Sequence, residues 1–119
     1  MRRSDIEHVR DAQQHLRKLR EHLTRGDLAD ETIFDAVCMR LSAAIESIAS
    51  ISEARRVREF GDSWPAIWSV RNRIAHGYIH VDDRIIHATV NQDLPELEGV
   101  LERLTRALGA AADDGGPPG

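Results

Sequence analysis

An all-α fold, an antiparallel four-helix bundle with a kinked last helix and a disordered C-terminal tail, is what this sequence predicts. Three observations carry that expectation. Apolar residues recur at three- and four-residue spacing through nearly the whole chain, the period that lays side chains along one stripe of a helix. Ser or Asp stands before each recurrence and Gly closes two of them, the residue types that satisfy helix starts and stops. No segment repeats with a period of roughly 20 to 50 residues, which removes solenoids and propellers.

The elements follow in order. Ser4-Asp5-Ile6-Glu7 reads as a capping box, and Val9, Ala12, Leu16, Leu19 and Leu23 then form one stripe that Gly26 ends. Asp30 caps a second helix with Ile33, Val37, Leu41, Ala44 or Ile45, Ile48 and Ile51 inward. The polar run Arg55-Arg56-Val57-Arg58 ends that helix or begins the link to the next. Ser63 is placed to cap a third, with Pro65 in a first turn where an amide hydrogen would be orphaned anyway. That helix carries Trp64, Ile67, Trp68, Val70 and Ile74, and Gly77 stops it. Tyr78 to Val81 reads as extended. Asp82 then caps a fourth helix with Ile86, Val90, Leu94, Leu97, Leu101, Leu104 and Leu108 inward. Pro95 should kink this helix, or split it with Asp93 capping the second half. Residues 1–108 thus make one helical domain. Residues 109–119, rich in Gly, Ala, Asp and Pro, have nothing to bury and read as the tail.

Composition narrows the function classes. No apolar run approaches the length that crosses a bilayer, and Met1-Arg2-Arg3-Ser4-Asp5 leads into no secretory apolar stretch, so a cytoplasmic protein is expected. Cys38 is alone, which removes an internal disulfide and cysteine-rich metal sites. A net charge of −4 argues against gripping nucleic acid by bulk electrostatics. Charge is unevenly spread, however: residues 1–25 hold seven Lys/Arg against four acids, and residues 53–73 hold five against three. A local RNA contact near residue 71 is compatible with that distribution.

The chemistry concentrates in Arg71-Asn72-Arg73-Ile74-Ala75-His76-Gly77-Tyr78. An Arg followed five residues later by His carries no weight alone, since this chain has four such pairs. Adding Asn directly after the Arg and Tyr two places after the His makes a pattern expected by accident in roughly one chain in several thousand. Asn72 and His76 are four apart and share a helix face, whereas Arg71 and His76 lie about 140° apart on an ideal helix. Joint use of Arg71 and His76 therefore asks for unwinding at Gly77 or for two chains, as in a twofold dimer with the third helices near the axis. These groups suit RNA cleavage. Imidazole moves protons near neutral pH, and a guanidinium stabilises charge that builds on a phosphorus centre. The scheme needs neither metal nor organic cofactor. Asp82 and Asp83 are adjacent and read as a helix cap.

This octapeptide resembles the Arg-Asn-x3-His-x-Tyr signature of HEPN ribonucleases, most closely the HepT toxins of HEPN/MNT toxin–antitoxin pairs. Ser63-Trp64-Pro65 before it, His80-Val81-Asp82 after it and Asp93-Leu94-Pro95-Glu96-Leu97 downstream extend the resemblance to roughly residues 5–108. In the second helix, Ala44-Ile45-Glu46-Ser47 stands where relatives often have a Gly-Glu-Ala type segment. The resemblance implies an all-helical homodimer that cuts RNA without a metal. Arg71 and His76 would be catalytic and Asn72 would support them. Tyr78 would be the residue that a partner nucleotidyltransferase antitoxin modifies with AMP.

Blander roles compete. His76 by itself would be a helix-end histidine bonded to backbone, and Asn72 and Tyr78 beside it shift the balance to chemistry. Arg73 reads as solvated or as a nonspecific RNA-phosphate contact. His8, His15 and His22 recur every seven residues, a rise of about 10.5 Å that no single ion bridges, so they read as a solvated flank. Trp64 and Trp68 read as core or dimer anchors, and Cys38 as a small buried hydrophobe. A second function stays open at this point: a noncatalytic helical binding module that assists a separate nucleotidyltransferase.

Overall fold

A computed structural model describes residues 3–77 and 81–115, the last six of these as backbone alone. Every regular element among the described residues is helical: α1 (Asp5–Arg25), α2 (Glu31–Ala49), α3 (Glu53–Phe60), α4 (Trp64–Gly77), α5 (Asp83–Ala88) and α6 (Leu94–Gly115). A 3-10 turn, Gly61–Ser63, joins α3 to α4, and a π-helical turn, Thr89–Asp93, joins α5 to α6. The four-helix bundle is therefore present, with α5, the π turn and α6 together making its fourth rod.

The core is built mostly from the stripes that the spacing marks out; Leu28, Phe60 and Val100 join it unforeseen, and Leu23 and Leu108, expected inward, are only partly buried. Val9, Ala12, Leu16 and Leu19 of α1 meet Val37, Leu41, Ala44, Ile45 and Ile48 of α2 in the most extensive interface of the molecule. Leu94, Leu97, Val100, Leu101 and Leu104 of α6 close the core against α1, and α4 lies against α2. Ala44 and Ile45 are both buried, which resolves the alternative left by the spacing. Removing such apolar surface from water is the main stabilising term, about 25 cal/mol per Å².

Starts largely follow the sequence. The Ser4 hydroxyl accepts from the Glu7 amide at 3.4 Å, but the Glu7 carboxylate takes the Arg3 Nε at 3.2 Å, so only half of the capping box forms. The Asp30 carboxylate accepts from the Thr32 and Ile33 amides at 2.9 and 3.3 Å, and that of Asp82 from the Arg84 amide at 2.9 Å.

Three expectations are corrected. The Arg55–Arg58 run is neither the end of α2 nor a link, because it is the middle of α3. Arg56 Nη1 donates to the Ala49 and Ile51 carbonyls at 2.9 and 3.0 Å, satisfying orphan acceptors at the end of α2. Arg55 Nε donates to Asp5 Oδ2 at 3.0 Å. The polar run is thus a clamp, which a hydrophobic period cannot reveal. Ser63 does not cap α4 either. Its hydroxyl donates to the Phe60 carbonyl at 2.6 Å, within the 3-10 turn that leads straight into the helix. Finally, Asp93 does not restart a helix at Pro95. The Leu94 amide reaches the Thr89 carbonyl, and widening to a π turn accommodates a proline that lacks an amide hydrogen without ending the rod.

The helical path of α6 continues to Gly115, past the Gly109 boundary expected for the tail. Three alanines, the strongest helix formers, follow that glycine, whose own cost is only about 1 kcal/mol. Residues 116–119 lie outside the described residues. No helix among those described is long and apolar enough to cross a membrane.

Candidate active site

Helix α4 carries the whole Arg71–His76 segment, and its period divides that segment between two surfaces. Asn72, Arg73 and His76 line an open cleft of about 480 Å³, completed by Ser69 and by Val81, Asp82 and Ile85. Asn72 and His76 therefore share a face as their four-residue spacing requires. The rings and amides of this wall are reachable: His76 and Arg73 are exposed and Asn72 half-buried. Asp82 is the acidic group of the cleft. Its carboxyl is held below the usual carboxylate range first by the side-chain hydrogen bond from Arg84, then by the Arg84 amide, with Arg73 adding a weaker attraction. Gly77 ends α4 where a Cβ would stand 3.0 Å from the Val81 side chain, so glycine lets the returning chain close the cleft.

Arg71 leaves α4 on the other side and does not line this cleft. Its guanidinium lies over the Trp68 ring, 4.9 Å from the centroid, and meets Glu46 of α2 through both Nε, at 2.9 Å, and Nη2. One link ties it to the cleft wall: Nη1 donates to Asn72 Oδ1 at 3.2 Å. Trp68 in turn stacks on Trp64, with centroids 6.1 Å apart, and Trp64 holds the Arg56 guanidinium at 5.2 Å. The tryptophans are half-buried against the core, where they support cations.

Sequence reasoning missed Glu46 as the partner of Arg71. No local signal marked it: Glu46 is an exposed position beside the buried stripe of α2, where a charge is ordinary, and it lies 25 residues from Arg71 in the chain. The histidine flank also differs from expectation, since His8, His15 and His22 are half-buried. Arg40 Nη1 stands 3.1 Å from His15 Nδ1, and because a guanidinium only donates, that nitrogen is the acceptor. Cys38 is buried as expected, and burial, with Asp35 adding to it, pushes its thiol up to about 11. No group of three or more His, Cys, Asp or Glu side chains stands where it could hold a metal ion among the described residues. Tyr78, His80 and the expected extended segment up to Val81 lie largely outside the described residues, with Val81 alone inside.

The class these features define is an all-helical bundle that presents an amide, a cation and an imidazole on the wall of an open cleft at the end of its fourth helix. The chain belongs to the ribonuclease HepT-like family, whose model matches residues 9–104. It is also similar to a protein of Thermococcus cleftensis described as "Probable ribonuclease HepT", 35% identical over 43 residues. That match covers 36% of this chain and 39% of the relative, so it spans about two fifths of the relative's length. No solved structure matches the chain.

Proposed function

We propose that this chain is the toxin of a toxin–antitoxin pair and a metal-independent endoribonuclease of the HEPN type. The observation that carries the reading is the Arg-Asn-x3-His-x-Tyr octapeptide, with Asn72, Arg73 and His76 on one open wall. Membership of a family described as ribonuclease HepT-like supports it. In the reaction, the 2′-oxygen forms a bond to the adjacent phosphorus as its proton passes to water. The bond from phosphorus to the 5′-oxygen breaks, and that oxygen takes up a proton. The products carry a 2′,3′-cyclic phosphate and a free 5′-hydroxyl.

His76 is the proton donor to the departing oxygen, a role open to an imidazole exposed on the cleft wall. Arg71 stabilises the charge on the phosphorus centre, and Asn72 supports both, being bonded to Arg71 and sharing a face with His76. Arg73 attracts phosphate. Because Arg71 and His76 face different ways on one helix, two copies of α4 around a twofold axis would supply both groups to a common cleft, so the active form is a homodimer. Tyr78 is the acceptor for AMP from a partner nucleotidyltransferase of the MNT type, and the added anion and bulk would block RNA entry.

The test is RNA cleavage by the purified chain in EDTA, after intact mass shows no AMP on the protein. Cleavage to 2′,3′-cyclic phosphate ends should fall by about a hundredfold or more in His76→Ala and Arg71→Ala, with melting temperature kept. Co-production with the nucleotidyltransferase should add AMP to the wild type and none to Tyr78→Phe. Absence of cleavage by folded, unmodified wild type would instead assign the chain to the noncatalytic module that assists a nucleotidyltransferase.

A further inference from the structure

We infer that Glu46 is the positioning residue for Arg71, fixing its guanidinium so that two donors stay open for one RNA phosphate. The inference rests on the ribonuclease reading above. A guanidinium has five N–H groups. Glu46 Oε1 accepts one from Nε, at 2.9 Å, and one from Nη2. Asn72 Oδ1 accepts one from Nη1 at 3.2 Å. The count leaves one N–H on each terminal nitrogen, the number that a pair of phosphate oxygens accepts.

Three neighbours from two helices define the plane and the rotation of this group. Trp68 lies under it, Asn72 ties it to the cleft wall, and Glu46 supplies the tie from outside α4. Without Glu46 the side chain can still lie on Trp68 and keep its bond to Asn72, but it loses the two bonds that fix its Nε–Nη2 edge. The two side chains differ in exposure, 24% for Arg71 and 50% for Glu46, so the acid stands on the solvent side of the cation it holds. A charge placed there for stability alone would contribute little, since exposed ion pairs are screened. Its geometry suits orientation. A carboxylate also carries a cost for the reaction, because it repels the incoming phosphate. The neutral amide of Gln offers the same oxygen to Nε and Nη2 without that repulsion.

The substitutions therefore separate in kcat and KM. Glu46→Ala should lower kcat about tenfold with KM nearly unchanged and the melting curve intact. Glu46→Gln should keep kcat within about threefold of wild type and lower KM. The Arg71 Nε–H resonance, assigned by its loss in Arg71→Lys, should be sharp in wild type and in Glu46→Gln. It should be lost or broadened by exchange in Glu46→Ala. Wild-type kcat in Glu46→Ala, equal losses in the Ala and Gln variants, or an unchanged Nε–H resonance in Glu46→Ala would each overturn the assignment. A wild type that cuts no RNA sinks the ribonuclease reading instead, and the resonance then decides by itself whether Glu46 positions Arg71.

Discussion

At the scale of single residues, charge and burial act in opposite directions on reactivity. His76 and Arg73 stand exposed on the cleft wall, where a substrate can reach them. Cys38 is shut in the core, and with its thiol pushed up to about 11 only about a thousandth of it is thiolate at pH 8. A thiol reagent at pH 8 should therefore label folded protein very slowly and denaturant-unfolded protein at once. Rapid labelling of the folded chain would show that α2 is open at this position. Much of the residue scale was legible beforehand. The 100° step of a helix puts Asn72 and His76 together and Arg71 apart, and the cleft lining follows that division. Where Arg71 goes instead was not legible, because Glu46 is 25 residues away in the chain and only the packing of α4 on α2 makes them neighbours.

At the scale of elements, the caps and stripes could be read because each is a local bargain between neighbouring residues. Asp30 and Asp82 satisfy amides two or three positions on, whatever the rest of the chain does. The π turn before Pro95 and the short α3 could not, since both depend on what lies beside them. Two glycines illustrate how position sets the sign of one substitution. Gly61, with φ 51° and ψ −128°, turns the chain between α3 and α4, and an added Cβ would meet nothing within 4 Å. Gly61→Ala should then lower stability by about 1 kcal/mol through backbone strain alone. Gly99 sits inside α6, where a Cβ would make only an ordinary 3.7 Å contact with Arg103 Nη1. Gly99→Ala should raise stability by about 0.5–1 kcal/mol. Denaturant unfolding of both variants checks the pair, and shifts of the same sign would contradict this account.

At the scale of the whole molecule, one chain builds a core but divides the proposed catalytic groups between two surfaces. A twofold partner completes the cleft in our proposal, so light scattering at concentrations that cut RNA should return twice the 13.4 kDa of the chain. Full activity from a monomer would remove the shared cleft. By itself the sequence determined the four rods of the bundle, most of their inward faces and the shared face of Asn72 and His76, because helical period and capping act over a few residues. Only the tertiary structure decided that Arg56 closes the end of α2, that α5 runs through a π turn into α6, and that Glu46 and Trp68 hold Arg71 away from the cleft. Those outcomes depend on helix packing, which brings together residues that no local spacing relates.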